Sequence, residues 1–449
     1  MRRRNNPILT LLIVLFCLVL LALAGYMLVQ VLPQKAPQEV TTIETNSVFE
    51  SDGQTVEPDR EQAYEGELPS GVDTTPEPEP DTPYALDTPE APSEDSLISA
   101  DADKRARETL ASMTEDEKIW QLFYVTPELL TGVETATRAG DSTKEALEAM
   151  PVGGIIYFAK NLEDRAQSVE MLSNTKSYAK IPPFLGTDEE GGTVSRVGAN
   201  AAMDAVQTPS LQSLGEQADP AAVYQAGQDI AGSLHAIGFN MDFAPVADVS
   251  AGASSVIGSR SFGTDAQLCA SLVGVMTGSI QTEGIIPCLK HFPGYGSAVT
   301  DDHYGTSVLE KTEAELESCD FLPFAAGIEA GAPFVMVSHL SVPEVVGDET
   351  PSDLSSKIVS DLLRNKLGFT GVIITDSHQM ASITDHYTSG EAAVKALQAG
   401  VDMILMPQDL QAAFDGVKAA LAGGTLTQSR IDESVLRILQ VKAEYNILQ

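Results

Sequence analysis

The segment Lys290–His303, KHFPGYGSAVTDDH, combines residue types that can exchange protons and hold polar ligands. Asp301 lies two residues before His303 in a stretch punctuated by Gly and Pro, and in an extended loop such residues point the same way. Asp301 can therefore orient the imidazole of His303, and a carboxylate–imidazole pair is a common general acid/base near neutral pH. The same spacing also suits a polar surface loop, so the surrounding residues have to decide between the two interpretations.

Polar side chains recur directly after short apolar runs elsewhere in the chain. Asp188 follows LGT, Asp248 follows FAPVA and Asp376 follows VIIT, while Lys290 and His291 follow PCL. Scattered surface histidines would not be expected to share this position. Yet four of the six histidines fall at or just after such runs: His291, His303, His339 and His378.

The apolar runs have the length of buried strands. They are Gln121–Val125, Gly154–Phe158, Phe184–Thr187, Asn240–Pro245, Ile285–Lys290, Phe334–Ser338, Val372–Thr375 and Met403–Met406. Amphipathic patterns typical of helices separate or follow them: Asp164–Ala179, Ala221–Ile237, Ala266–Glu283, Lys311–Ala330, Ser355–Leu367, Glu391–Ala399, Leu410–Leu421 and Gln428–Tyr445. A capping-box pattern at Thr114–Glu117 predicts a further helix start.

Eight buried strands alternating with helices predict an α/β fold, a (β/α)8 TIM-type barrel forming a single catalytic domain. Barrel chemistry lies just past the carboxyl ends of the strands, which is where the polar residues collect. A doubly wound open sheet is the alternative. No G-x-G-x-x-G opens a helix after the first strand, so a dinucleotide site is not expected.

Composition divides the chain into three parts: 1–33, 34–103 and 104–449. Residues 38–103 carry 19 acidic residues, one basic residue (Arg60) and many Pro, Thr and Ser. Such a segment buries too little apolar surface to offset its chain entropy, which predicts a disordered linker. The formal charge of −37 argues against nucleic acid as a partner. The four cysteines have no metal-ligand spacing and indicate no disulfide framework.

The N-terminal segment carries arginines at positions 2–4, followed by an uncharged apolar run from Ile8 to Leu32. As a helix this run would span about 37 Å, enough for a bilayer core of about 30 Å. The arginines place its start in the cytoplasm, which predicts a single-pass anchor with an extracellular catalytic domain. Ala22-Leu23-Ala24 resembles a cleavage site, so secretion after signal-peptide removal is the alternative.

Five motifs in this order resemble glycoside hydrolase family three, in its β-N-acetylglucosaminidase (β-hexosaminidase) branch. They are FLGTDEEGGTVSR, GFNMDFAPVADV, IGSRSFG, CLKHFPGYGSAVTDDH and GFTGVIITDSHQM. The resemblance covers about residues 116–445, nearly the whole predicted domain. The chain departs from the branch at three positions: Tyr295 replaces a common histidine, Asp302 a common serine or threonine, and His378 a usual apolar residue. The first two could alter the mobility of the acid/base loop and the third could affect the aglycone side.

The resemblance implies a role for each matching residue. Asp376 would be the nucleophile, His303 the acid/base and Asp301 its partner. The sugar would be held by Asp188, Arg196, Arg260, Lys290 and His291. Retaining glycosidases attack the anomeric carbon with a carboxylate while an acid protonates the leaving oxygen. Asp376 could instead cap a helix beginning at Ser377.

The implied reaction removes terminal β-linked N-acetylglucosamine from peptidoglycan fragments or chitin-type oligosaccharides, without a cofactor or a metal. In family members that act on glucosides a second domain often supplies the acid, and no such domain follows residue 449, which favours the histidine acid. Two other interpretations remain. A barrel hydrolase could bind zinc through Asp376 and the four strand-end histidines. A non-catalytic cell-wall-binding protein could retain the barrel without turnover.

Overall fold

Eight short strands pair in parallel and in chain order, and the last returns to pair with the first. In the computed structural model, which describes residues 98–253, 255–298 and 307–448, Tyr124 of the first strand pairs with Leu405 of the last. The strands are β1 Phe123–Val125, β2 Gly154–Ile156, β3 Phe184–Thr187, β4 Met241–Asp242, β5 Ile286–Phe292, β6 Phe334–Val337, β7 Val372–Ser377 and β8 Met403–Leu405. The predicted barrel is confirmed, and the open-sheet alternative is wrong.

The strands form where the sequence has continuous apolar runs, because a parallel sheet covered by helices is buried on both faces. Every residue of β3, β5 and β6 is buried. Aromatic rings fill the barrel interior: Phe184 meets Phe334 edge to face at 5.1 Å, and Tyr124 meets Phe243 at 5.2 Å. The barrel is therefore a packed core, and chemistry is left to its ends.

Helices surround the strands and supply the predicted alternation. They are α1 Ala100–Ser112, α2 Glu115–Gln121, α3 Pro127–Thr131, α4 Asp141–Ala149, α5 Arg165–Tyr178, α6 Leu211–Gln217, α7 Pro220–Ile237, α8 Ala266–Thr282, α9 Glu313–Glu315, α10 Phe321–Glu329, α11 Pro343–Val346, α12 Ala381–Thr384, α13 Ser389–Ala399, α14 Leu410–Ala422 and α15 Gln428–Glu444. π-Helical segments cover Leu316–Asp320 and Lys357–Lys366. The predicted helix Lys311–Ala330 is thus divided, and the predicted helix Ser355–Leu367 is wound mainly as a π-helix.

The capping box predicted at Thr114 is present. The Thr114 hydroxyl accepts from the backbone N–H of Glu117 at 3.2 Å, and the Glu117 carboxylate accepts from the backbone N–H of Thr114 at 2.8 Å. Two of the N–H groups that a helix start leaves without partners are satisfied in this way. Helix α2 consequently begins at Glu115, as the pattern indicated.

The predicted linker boundary at residue 103 is wrong, because α1 begins at Ala100. Ala102 and Ala106 are fully buried, and Arg105 donates to the carbonyl oxygens of Ala443 and Leu448 at the end of the chain. Two of the acidic residues that were assigned to the linker, Asp101 and Asp103, lie in the first turn of α1, where the helix dipole favours negative charge.

The predicted anchor and the rest of the predicted linker, residues 1–97, lie outside the described residues and stay predictions. Within the described part of the chain, no helix combines the length and apolar character needed to cross a bilayer.

Candidate active site

A cavity of about 530 Å³ opens at the carboxyl ends of the strands. Six of the eight residues to which the sequence assigned roles line it: Asp188, Arg196, Arg260, Lys290, His291 and Asp376. The other two, Asp301 and His303, lie outside the described residues. A larger cavity of about 640 Å³ lies among residues that precede the strands, such as Gly284, Gly331 and Gly371. Barrel chemistry belongs to the opposite face, so the smaller cavity is the candidate active site.

Lys290, near the end of β5, is a buried cation that forms ion pairs with two carboxylates of this cavity. Its ammonium lies 2.7 Å from Oδ1 of Asp188 and 2.6 Å from Oε1 of Glu190, both from the loop after β3. Burial disfavours the charged ammonium, but the two carboxylates outweigh it and raise the pKa of Lys290 above its ordinary value. Lys290 therefore stays a cation and can donate to a bound hydroxyl.

Glu190 is a buried anchor that the sequence analysis quoted within a motif but did not assign. Its carboxylate accepts two bonds from Arg260, from Nε at 2.7 Å and from Nη2 at 2.8 Å. Burial raises its pKa, yet Lys290 and Arg260 outweigh burial and lower it to about 2. The available signal was spacing, because Glu190 lies two residues after Asp188 and can reach the same side of an extended loop.

His291 is held by Asp248, the residue that follows the fourth predicted strand. The Nδ1 atom of His291 lies 2.8 Å from Oδ2 of Asp248, whose Oδ1 accepts from the backbone N–H of Tyr295 at 2.6 Å. A carboxylate oxygen facing Nδ1 places the hydrogen there, so Nε2 of a neutral ring is an acceptor. Nε2 lies 3.4 Å from Nη2 of Arg260. His291 thus presents a fixed nitrogen to the cavity.

Arg196 is positioned by a buried carboxylate behind it. Oε2 of Glu189, a residue that is 1% exposed, accepts from the backbone N–H groups of Arg196 and Val197, at 2.7 Å each. The Arg196 guanidinium lies 5.9 Å from the Phe158 ring, and its Nη2 is 3.8 Å from Oδ2 of Asp188. Its Nε is buried and has no hydrogen-bond partner among the described residues, so donation to a ligand falls to the Nη groups.

Asp376 lies within β7 and is half-buried. Its Oδ1 accepts from the backbone N–H of Ser377 at 2.7 Å. The alternative role as a helix cap is wrong, because the next helix, α12, begins only at Ala381 and its N-cap is Met380.

The charged side chains that line the cavity balance when Asp376 is ionised. Three are carboxylates and three are cations: Asp188, Glu190, Asp376, Arg196, Arg260 and Lys290. Because Lys290 and Arg260 are engaged by Glu190, that carboxylate adds little uncompensated negative charge near Asp376. An ionised carboxylate at the mouth of a barrel, with cations beside it, suits nucleophilic attack on an electron-poor carbon.

The family is decided by the match of residues 114–441 to the model of the glycosyl hydrolase family 3 N-terminal domain. The chain belongs to glycoside hydrolase family 3. Family 3 enzymes are glycosidases, and the chain is accordingly a hydrolase.

Named relatives of the chain include β-hexosaminidases. A β-hexosaminidase of Nitrosomonas eutropha is 33% identical over 58% of this chain and 74% of that protein. A β-N-acetylglucosaminidase/β-glucosidase of Cellulomonas fimi is 30% identical over 76% of this chain and 59% of that protein. The chain therefore spans less than two thirds of the Cellulomonas protein.

Solved structures of family 3 proteins also resemble the chain. A family 3 β-N-acetylglucosaminidase from a Paenibacillus species has a TM-score of 0.71 at 32% identity, covering 75% of this chain and 63% of that one. A family 3 glycosyl hydrolase from Mycobacterium smegmatis has a TM-score of 0.64 at 31% identity and is covered over 98% of its length.

The structure separates the strand-end histidines of this family 3 chain. His291 lines the cavity, whereas His339 and His378 lie in a separate buried group with Asp353. The zinc-hydrolase interpretation needed Asp376 and these histidines at one metal, and the structure does not bring them together. His378 does not line the cavity, because its side chain is buried against Asp353; an effect on the aglycone side stays a prediction. Tyr295 does line the cavity, while Asp302 lies outside the described residues.

Replacing Arg196 by lysine is expected to raise KM about tenfold or more while changing kcat much less. Lysine keeps the positive charge but loses the planar guanidinium with its several N–H donors. One hydrogen bond from a charged donor contributes about 1.5–3 kcal/mol. Steady-state kinetics on a nitrophenyl N-acetylglucosaminide measure both constants. Arg165→Lys is the control, since that side chain is 43% exposed and lies outside the cavity. An unchanged KM in Arg196→Lys would remove Arg196 from the sugar-binding residues.

Proposed function

We propose that the chain is a retaining β-N-acetylglucosaminidase that removes terminal non-reducing β-linked N-acetylglucosamine from peptidoglycan-derived or chitin-type oligosaccharides. The observation that carries the proposal is that Asp376 shares one cavity with Lys290, Arg260 and Arg196. A carboxylate nucleophile is one of the two groups that the retaining reaction requires, and the donors beside it suit the hydroxyl groups of a sugar. The names of the family 3 relatives support the choice of sugar.

In the first step, a carboxylate oxygen of Asp376 attacks the anomeric carbon and a glycosyl ester forms. The C–O bond to the leaving sugar breaks as His303, acting as an imidazolium acid, gives its proton to the departing oxygen. In the second step, neutral His303 removes a proton from water, the water oxygen attacks the anomeric carbon, and the ester bond to Asp376 breaks. Two displacements at one carbon retain the β-configuration. Asp301 stabilises the imidazolium in this scheme.

A histidine acid has a physical advantage beside Asp376. A carboxylic acid in its place would become a further negative charge in a cavity that already holds Asp188 and Glu190. Neutral imidazole adds no negative charge after it has given up its proton. The three cations and the carboxylates that line the cavity therefore keep their balance through the reaction.

The sugar-binding residues divide by what they offer to hydroxyl groups. Lys290 and Arg196 supply donors, and Asp188 supplies carboxylate acceptors. His291, with Nδ1 held by Asp248, supplies an acceptor at Nε2 when neutral. Arg260 donates two hydrogen bonds to Glu190 and so fixes the carboxylate that also pairs with Lys290. This mixture suits a polyhydroxylated ligand that both donates and accepts hydrogen bonds.

We also propose that the chain works at the outer face of the cell membrane, anchored by the apolar segment 8–32, with secretion after signal cleavage as the alternative. The acidic Pro-rich linker would extend the barrel away from the membrane by self-repulsion. Cell-wall fragments would then be within reach. Fractionation of cells that express the full chain tests this location directly, because an anchored chain stays with the membrane until the linker is cut by protease.

The full chain, purified in detergent, should release nitrophenol faster from the β-N-acetylglucosaminide than from the β-glucoside. Each substrate is assayed with and without phosphate, so that hydrolysis is separated from phosphorolysis by the identity of the released sugar. A preference for glucose would contradict the assigned sugar and the histidine acid. Release of no sugar from either glycoside, or from wall fragments, would favour the non-catalytic binding protein.

A further inference from the structure

Three buried ionisable side chains that the proposed reaction does not use meet beside the candidate active site. His339 follows β6, His378 follows β7, and Asp353 lies in the 3₁₀ turn Ser352–Leu354. They are 0%, 2% and 0% exposed, respectively. Asp353 lies between the two rings: its Oδ1 is 3.1 Å from Nδ1 of His339, and its Oδ2 is 2.9 Å from Nε2 of His378. We call these three residues the buried cluster.

The tautomer of His339 requires a cation in this cluster. Nε2 of His339 lies 2.9 Å from the backbone carbonyl oxygen of Ser377, and a carbonyl oxygen only accepts, so Nε2 carries a hydrogen. In a neutral ring Nδ1 then holds a lone pair, which lies 3.1 Å from Oδ1 of Asp353. Two electron-rich atoms in contact in a dry interior need a positive species between them, either a proton or a metal ion.

The second histidine has an unsatisfied atom beside a small cavity. Nδ1 of His378 is buried and has no hydrogen-bond partner in the described part of the chain. His378 lines a cavity of about 260 Å³, together with the polar residues Thr388, Ser389 and Gln408. A cavity of this size has room for water molecules, which could bond Nδ1 of His378.

We propose that the buried cluster binds a divalent cation of the zinc type. Two imidazole nitrogens and one carboxylate oxygen are a ligand set that such ions prefer, and one water molecule would complete four ligands. The bond from Nε2 of His339 to the Ser377 carbonyl is the kind of outer contact that fixes the tautomer of a metal-binding histidine. His378 would bind through Nε2 and direct its Nδ1 hydrogen to water.

The present spacing is close to what the ion requires. Candidate ligand atoms of the three residues all lie within 4.8 Å of one another. Tetrahedral zinc with bonds of about 2.0–2.1 Å holds its ligand atoms about 3.3 Å apart, so the widest pair would approach by roughly 1.5 Å. Rotation of buried side chains over that distance is a small movement. The ion would then connect β6, the Ser352–Leu354 turn and the end of β7 that carries Asp376, with a positioning role outside the sugar cavity.

The test uses the untagged full chain in detergent, freed of metals by a chelator. After addition of Zn²⁺ or Co²⁺ and gel filtration, about one ion per chain should remain bound, and the thermal midpoint should rise, because an ion that binds only the folded state stabilises it. Bound Co²⁺ should give visible absorption bands of a low-coordinate nitrogen and oxygen site. Mg²⁺ should be lost on gel filtration and leave the midpoint unchanged, because it prefers oxygen ligands.

Substitutions assign the ion to the cluster. Asp353→Asn and His378→Leu should each abolish retention of Zn²⁺ and the Co²⁺ bands. His235→Gln, at an exposed histidine on α7, should retain both. The midpoint of each variant without metal reports its folding.

Two results would overturn the proposal. If the folded wild-type chain retains neither ion and shows no Co²⁺ bands, the shared cation is a proton. If Asp353→Asn or His378→Leu retains the ion, or His235→Gln loses it, the assignment to the cluster is wrong. Neither result depends on glycosidase activity, so the proposed function stands or fails separately.

Discussion

Replacing Asp376 by alanine is expected to lower kcat/KM by on the order of 10⁴-fold or more, with the protein still folded. Loss of a nucleophile removes the glycosyl ester path, and residual activity comes only from binding and positioning. The Asp376 side chain is half-buried and accepts a hydrogen bond from the backbone N–H of the adjacent Ser377. Removing this side chain should therefore disturb the fold little. Steady-state kinetics on a nitrophenyl N-acetylglucosaminide measure the loss. Asp385→Asn is a matched control, an exposed carboxylate nine residues further along the chain.

Formate or azide provides a second readout in the same variant. A small anion can occupy the space left by the carboxylate and attack the anomeric carbon, which restores part of the rate of nitrophenol release. With azide, the product should be the α-glycosyl azide, because one displacement inverts the carbon. Wild-type rates in Asp376→Ala, or anion rescue in a variant of a different carboxylate, would assign the nucleophile elsewhere.

Replacing Glu190 by glutamine is expected to destabilise the fold by about 3–5 kcal/mol and to abolish most activity, because breaking a buried ion pair leaves uncompensated charge. Glu190 is bonded to both Lys290 and Arg260, and the side chains of Glu190 and Lys290 are 1% and 2% exposed. Denaturant unfolding followed by circular dichroism measures the free energy. Glu216→Gln is the control, since that glutamate is exposed. A loss below about 1 kcal/mol would show that the cations find other partners.

The pH dependence of unfolding should carry the same signature. Burial raises the pKa of Glu190, but Lys290 and Arg260 lower it to about 2, below its ordinary value of 4.5. A group whose pKa is lower in the folded state contributes its full stability above the unfolded pKa and loses it as pH falls through the folded value. The stability difference between wild type and Glu190→Gln should therefore shrink as pH falls from about 4.5 towards 2. A constant difference across this range would contradict the paired, ionised Glu190.

The strands could be predicted from the sequence because each is one short apolar run that the barrel buries on both faces. Phe184–Thr187 has the predicted bounds, while the fifth and seventh strands extend two residues beyond their predicted ends at Lys290 and Thr375. Because of these extensions, His291 and Asp376 lie within the strands, whereas the sequence predicted them just after the strand ends. Strand-end position still identified the residues of one cavity.

The partners of these residues could not be predicted, because they depend on which strand ends meet when the barrel closes. Asp188 and Lys290 are 102 positions apart, and Glu190 and Arg260 are 70 apart. Only its two-residue spacing from Asp188 favoured Glu190 over Glu189, although Glu190 joins the cavity and Glu189 fixes the backbone of Arg196. His378 looked like a residue of the cavity because it lies two residues after Asp376, but β7 ends at Ser377, and the side chain of His378 lies against Asp353 instead.

Trapping the covalent intermediate is the most direct test of the proposed chemistry. The full chain is incubated with a 5-fluoro N-acetylglucosaminyl fluoride, whose ester forms faster than it hydrolyses, and then digested for peptide mass mapping. The proposed mechanism predicts one added sugar on Asp376, in the peptide that contains GVIITDSHQM, and none in Asp376→Ala. A sugar on another residue, or turnover with no covalent label and inversion of the anomeric carbon, would contradict Asp376 as the nucleophile of a retaining enzyme.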